Sequence, residues 1–411
     1  MRNGENNNRI KPELLAPAGS YSKFMTALRF GADAAYIGGK NFSLRTFADN
    51  FTNDELKSAV EYAHSLDKRI YVTSNIFARN ADFPLLKDYF SFLSEIKADA
   101  VIISDPGAVY LAKKYAPELP IHLSTQANTT NQYAVRFWKD QGVSRVILAR
   151  ELSLKEIAEI KAFTPEIELE AFVHGAMCIS YSGRCLLSDY LDGRSSNRGA
   201  CVQACRWKYE VRALNPSNGE TGYLSLEEDE KGAYIFNSKD LNMLSALSEL
   251  QKAGVDSFKI EGRMKSEYYL ATVINAYRRA IDGEDSNELQ KELSAVAHRD
   301  YTTAYAFGKN GATVNYENGQ TKGDYAFIAT VVDCQDGFIR AEMRNRFKTG
   351  EELEVLAPNK NFKKSFIVSE IYDSKGVSVA DAKLVQELYS VKCPYALEAG
   401  DFLRRKNTVN Q

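Results

Sequence analysis

Four cysteines, Cys178, Cys185, Cys201 and Cys205, fall within 28 residues of a 411-residue chain. Their spacing is Cys-x6-Cys-x15-Cys-x3-Cys. Four thiolates can ligate a tetrahedral zinc ion or an iron–sulfur cubane. Structural zinc usually shows two tight Cys-x2–4-Cys knuckles, and only Cys201–Cys205 is tight here. The irregular spacing therefore favours a 4Fe-4S cluster, with zinc as the alternative. In a reducing compartment such a group binds metal rather than forming disulfides. The other two, Cys334 and Cys393, read as small apolar residues. The same window is cationic: Arg184, Arg194, Arg198, Arg206 and Lys208 outnumber Asp189 and Asp192. Arginine forks suit carboxylates and phosphates. A solvated loop, or neutralisation of an anionic cluster, would use the same residues.

These residues need a frame. From residue 13 to about 282, short β-rich runs alternate with amphipathic helical runs. Candidate strands are 13–17, 34–38, 69–77, 98–104, 120–128, 144–150, 167–174 and 256–261. Candidate helices are 21–30, 53–65, 85–96, 107–115, 133–141, 154–163, 241–253 and 267–281. Thr52-x-x-Glu55 and Ser153-x-x-Glu156 have the form of capping boxes. Eight β-then-α units predict an α/β fold, a (β/α)8 TIM-like barrel, with an open doubly wound sheet as the alternative. The seventh unit carries a long insertion, 175–240, far beyond an ordinary βα loop of roughly 2–6 residues. It contains the cysteines and a hairpin expected between 209–214 and 223–227. A βα loop lies on the catalytic face of a barrel. After about residue 299 the helical period stops and short β-type runs follow, which predicts a small C-terminal all-β domain. The expected division is a disordered tail at 1–12, a barrel at 13–300, a connector at 301–321 and a β domain at 322–411.

Strand parity locates a candidate pocket. Alternate residues of a barrel strand point inward. One face of the fifth strand carries His122, Ser124, Gln126 and Asn128; one face of the seventh carries Glu168, Glu170, Phe172 and His174. On the eighth, Lys259, Glu261 and Arg263 share a face. Buried charge costs several kcal/mol unless paired or hydrated. So polar an interior implies either an ion-paired core or a wet pocket near the strand ends, where Asn75, Asp105, Arg150 and Asn237 also fall. The pocket reading makes Glu170, His174, Lys259 and Glu261 catalytic candidates. Gln126, Asn128, Arg150, Arg184, Arg198 and Arg263 become substrate-binding candidates, and the four clustered cysteines metal ligands.

Composition excludes some classes. Net charge is −2 and charged residues make up 26%, so no whole-surface basic footprint for nucleic acid exists. No apolar run reaches the ~18 residues of a membrane span. The Asn-rich start lacks the apolar stretch of a signal peptide, and a cytoplasmic location is expected. There is no His-Glu-x-x-His or Gly-x-Ser-x-Gly motif, and only four histidines.

The stretch 170–188, EAFVHGAMCISYSGRCLLS, resembles the signature of peptidase family U32, the collagenase-like peptidases. Supporting stretches are ELLAPAG at 13–19, GADAAYIG at 31–38, LSTQ at 123–126 and KIEGR at 259–263. The resemblance covers the barrel and, more loosely, the C-terminal domain. It implies oxygen-independent hydroxylation. The branch with an added β domain is similar to tRNA hydroxylation proteins that form 5-hydroxyuridine at the wobble position, with prephenate as presumed oxygen donor. It also implies a 4Fe-4S cluster on Cys178, Cys185, Cys201 and Cys205. Arg184, Arg198 and Arg263 would hold the carboxylates of this small dicarboxylate. Arg340, Arg344, Arg346, Lys348, Lys363 and Lys364 would grip tRNA. A related U32 partner subunit is a further implication. The alternatives are a collagenase-like peptidase and a non-catalytic RNA-binding or assembly module with a structural metal cluster.

Overall fold

The computed structural model describes residues 11–40, 42–43, 49–207, 212–214, 221–223, 238–308 and 323–407. Eight of its strands run parallel and close on themselves. They are β1 (Glu13–Pro17), β2 (Ala34–Gly38), β3 (Arg69–Ser74), β4 (Ala100–Ile103), β5 (Ile121–Leu123), β6 (Arg145–Ile147), β7 (Glu168–Ala176) and β11 (Ser257–Ile260). Each pairs with the next, and β11 bonds both β1 and β7, which closes the (β/α)8 TIM-like barrel. The open-sheet alternative is set aside by that last pairing.

The helices follow from their caps and apolar stripes. They are α1 (Tyr21–Arg29), α2 (Asn53–Ser65), α3 (Phe83–Glu95), α4 (Pro106–Tyr115), α5 (Gln132–Asp140), α6 (Leu154–Phe163) and α9 (Glu267–Ile281). Thr52 and Ser153 form both expected capping boxes, with Glu55 and Glu156 returning the bond. Asp105, at a strand end, serves as the cap of α4 and accepts from Ala108 N at 3.0 Å.

The seventh unit departs from the expected pattern. A short helix, α7 (Leu187–Asp192), lies inside the insertion. The hairpin is formed by β8 (Arg212–Leu214) and β9 (Thr221–Tyr223); the rest of its expected span lies outside the described residues. The helix expected at 241–253 is shorter. Asp240–Asn242 is instead a strand, β10, antiparallel to β7, and only Leu247–Lys252 is α-helical, as α8, after a 3-10 turn at Leu244–Ala246. Leu241, Leu244, Leu247 and Leu250 mimic a helical stripe. The free edge of β7 beyond β11 captures the first of these leucines into a sheet.

Helix α10 (Ser286–Leu293) and β12 (Tyr301–Thr302) complete this region, and β12 pairs with β10. The remainder is all-β. Its strands are β13 (Tyr325–Gln335), β14 (Phe338–Met343), β15 (Phe347–Lys348), β16 (Glu352–Leu356), β17 (Ser365–Ile367), β18 (Ile371–Tyr372), β19 (Asp381–Ala382), β20 (Leu388–Lys392) and β21 (Phe402–Lys406). Seven form one antiparallel sheet, while β15 and β19 make a ribbon. This domain has its own apolar core, but Leu356 and Phe402 belong to the barrel's. Tyr268 stacks on Phe327 at 5.1 Å, and Phe30 meets Phe402 at 5.8 Å. The two cores therefore touch through aromatic contacts. Residues 1–10 and 309–322, which hold most of the predicted tail and connector, lie outside the described residues.

Candidate functional site

The barrel interior has two levels. The lower level is an ion-paired floor. Arg145 Nη1 reaches Glu13 Oε1 at 2.6 Å and Glu170 Oε2 at 3.2 Å, while Arg145 Nε reaches Glu168 at 2.7 Å. Tyr71 OH and Ser257 Oγ also donate to Glu13, at 2.6 and 2.9 Å. Lys259 Nζ donates to Glu170 Oε1 at 2.7 Å. Burial alone would raise the Glu13 pKa, but the Arg145 charge and bonds outweigh it and hold the carboxyl low. Burial lowers the Lys259 pKa, against the pull of Glu170. His122 packs on Tyr71 in the same layer, and burial keeps it neutral.

Above this floor lies a cavity of about 290 Å3. It opens at the C-terminal ends of the strands, the catalytic face of such barrels. Asn75 follows β3, Gln126 follows β5, Arg150 follows β6, and Glu261, Arg263 and Lys265 follow β11; all line it. So do Cys178, Cys185, Cys201 and Cys205. Lys259 joins the levels, since it lines the cavity and bonds Glu170 below.

The cysteine segment is strapped over the mouth. Glu151 accepts from Ser182 N at 3.1 Å. Phe77 N donates to Asn197 O at 3.0 Å, and Arg198 Nη1 donates to Phe77 O at 2.7 Å and Asp82 at 2.9 Å. Ser196 Oγ and Asn197 Nδ2 both donate to Cys185 O. Burial pushes the Cys205 thiol up to about 11, and the charges of Cys178, Cys201 and Cys185 add to the rise, so the four sulfurs act on one another. The described residues contain no group of three or more His, Cys, Asp or Glu side chains converged as ligands of a single ion. All four thiols line the cavity.

The model of peptidase family U32 matches residues 19–316, and that of the family's C-terminal domain matches 323–404. This chain belongs to peptidase family U32. It is 38% identical to tRNA hydroxylation protein P1 of Bacillus subtilis, over 96% of this chain and 95% of that protein. It is 38% identical to tRNA hydroxylation protein P of Escherichia coli, over 89% and 90%. It is 32% identical to a Collagenase of Porphyromonas gingivalis, over 75% and 77%.

The structure sorts the residues singled out in this U32 chain. Gln126, Arg150, Lys259, Glu261, Arg263 and the four cysteines share the cavity. Glu170 does not; it is fully buried in the floor, where Lys259 and Arg145 neutralise it. His174 also lies outside, packed among the rings of Tyr269, Tyr277 and Tyr301. The reason is a register shift. Lys259 pairs with Phe172 but Ile260 pairs with His174, so Val173 is an extra residue and parity inverts beyond it. Asn128, itself left-handed at φ 56°, caps the 3-10 turn Thr125–Ala127 that follows β5 and does not line the cavity. Arg184 is exposed and does not line the cavity. Arg198 is a strap to Asp82 rather than a ligand contact. Arg263 is buried and donates to Ser43, Thr73 and Asn50 oxygens. Lys265 lines the cavity as well, though no motif marked it. In the β domain, Arg340, Arg344, Arg346 and Lys363 are each in a salt bridge, so they form no bare basic face.

Proposed function

We propose that this U32 chain is a tRNA hydroxylation enzyme that forms 5-hydroxyuridine at the wobble position. The observation that carries the reading is one cavity at the catalytic barrel face, with four thiols in its wall and polar ends of several strands around it. Its relatedness to proteins named for tRNA hydroxylation, over nearly the whole chain, supports the substrate class.

Cys178, Cys185, Cys201 and Cys205 would hold a 4Fe-4S cluster; all four line the one cavity, and four thiolates are the donor set of such a group. Such a cluster, when bound, supplies one-electron chemistry. The chain's own side chains bind and orient. Gln126 Oε1 is buried without a partner among the described residues, and it can accept the N–H of a uracil edge. Lys259, whose pKa burial lowers, can hold or release a proton at Nζ, and Glu261 can accept one. Tyr181 and Met264 are exposed at the rim and offer surfaces on which an unstacked base can rest. Prephenate, a dicarboxylate, is the proposed oxygen donor, and Arg150 stands in the wall with its guanidinium 3.8 Å from the Phe172 ring centre.

The relative named Collagenase favours peptide hydrolysis as a second reading. The cavity offers that chemistry no histidine, since His64, His122, His174 and His298 all lie elsewhere. Nucleoside analysis of tRNA from a strain lacking the gene tests the choice. Loss of 5-hydroxyuridine is expected; an unchanged nucleoside profile would remove the hydroxylation reading and favour a peptidase or a non-catalytic RNA-binding module.

A further inference from the structure

The cations of the cavity divide by what already holds them. Lys259 is bound to Glu170. Arg150 donates to Ala176 O at 2.6 Å and reaches Glu261 at 3.4 Å. Arg263 sits among the oxygens of Ser43, Asn50 and Thr73. Arg206 and Lys265 differ. They come from separate elements, the cysteine segment and the turn after β11, and both line the cavity. Among the described residues, Lys265 Nζ has no hydrogen bond or salt bridge; it lies 4.8 Å from the centre of the Tyr269 ring. Arg206 Nη1 donates to the neutral Gln203 Oε1, and its buried Nε has no partner among the described residues.

Asp240 is the carboxylate that acts on both, the charge of Arg299 opposes both, and the thiols of Cys205 and Cys178 act on Arg206 as well. Arg299 occupies Asp240: its Nε bonds Oδ1 at 3.1 Å, and its backbone N bonds Oδ2 at 3.1 Å. Asp240 is thus engaged by Arg299, and neither Arg206 nor Lys265 bonds a carboxylate among the described residues. Half-buried charge of one sign is unfavourable until an anion joins it. An arginine fork together with an ammonium matches the oxygens of a carboxylate or phosphate.

We propose that Arg206 and Lys265 form an oxyanion subsite that takes a carboxylate or phosphate group of the substrate into the cavity beside Cys205. The subsite deepens the hydroxylation reading and rests on it for the reaction served, but its binding can be measured alone. The two sources are a carboxylate co-substrate and the phosphate of the bound nucleotide.

The test is calorimetric titration of anaerobically purified, iron-loaded protein with malonate, with uridine 5′-monophosphate and with uridine. Wild type is compared with Lys265→Gln and Arg206→Gln. Binding of malonate identifies the carboxylate source; binding of the monophosphate but not of uridine identifies the phosphate. Either substitution should weaken that binding about tenfold or more, as loss of a charge-assisted hydrogen bond does, with iron per chain unchanged. Two results overturn the proposal. One is failure of wild type to bind any of these anions. The other is unchanged affinity with lowered iron content or a shifted reduction potential, which would assign both cations to the thiolate-held group. Retained, Lys265-dependent anion binding in a protein whose gene deletion leaves tRNA unaltered would sink the hydroxylation reading and leave the subsite standing.

Discussion

Arg145 reaches three carboxylates, those of Glu13, Glu168 and Glu170, from a position 3% exposed. Removing one member of such a buried set leaves the others uncompensated. Glu170→Gln should cost about 3–5 kcal/mol of stability, read as a lower urea midpoint with the slope unchanged. His174 is a different case. Burial depresses its pKa from 6.5 to about 3. The unfolded chain binds that proton first, so folding stability is complete above the unfolded value and falls as pH drops from 6.5 toward 3. His174→Phe should therefore flatten the acid limb of the stability curve. It should also leave tRNA hydroxylation intact, because the ring does not line the cavity. Loss of modification in a folded His174→Phe protein would return the histidine to the site. Parity along the sequence placed His174 inside the barrel. The single extra residue at Val173, which reverses that, leaves no mark on residue type. Lys259, within β11, and Glu261, directly after it, avoid the shift and line the cavity as parity predicts, whereas Gln126 reaches the cavity from the 3-10 turn after β5, where no strand alternation applies. Lys265 could not be read, since it follows β11 in a turn to which no alternation applies.

At the scale of elements, the central contact is between the cysteine segment and the turn after β5. Gly183 has φ +72°, and a Cβ there would lie 2.0 Å from Gln126 O. No side chain can shift to relieve contact with a backbone oxygen. Gly183→Ala adds left-handed strain of about 1–2 kcal/mol to that clash. The segment should lift from the mouth, and iron bound per chain should fall although the thiols are untouched. Full iron loading in this variant would show that the segment holds its metal independently of the barrel. Most barrel elements were legible because each turns on a local signal: a cap, a helix-ending glycine or a β-branched run. The strand β10 was not legible. Its leucines repeat at helical spacing, and only the spare edge of β7, a tertiary feature, selects the strand.

At the scale of the molecule, a buried ion-pair network ties the β domain to the barrel. Arg404 of β21 donates to Glu292 of α10 at 2.9 Å and also to Glu354 of β16. Glu292 is 3% exposed, so Arg404→Met leaves a buried carboxylate with Lys363, 3.6 Å away, as its remaining partner and should cost about 3 kcal/mol. Calorimetry should then resolve two unfolding transitions where wild type shows one; a single unshifted transition would show that the aromatic contacts and the ion pairs of Arg29 with Glu398 and Asp401 suffice to couple the domains. The β domain's existence was readable from the loss of helical period. Its pairing of arginines with local acids was not, because charge counts carry no partners. We propose the barrel-mouth cavity as the place where tRNA is hydroxylated. Its most direct test is mass spectrometry of tRNA nucleosides from a deletion strain complemented with wild type, Gln126→Leu or Cys201→Ala, beside iron per purified chain. Wild type should restore 5-hydroxyuridine. Gln126→Leu should keep iron and lose most of the modification, and Cys201→Ala should lose both. Full restoration by both variants would contradict the account.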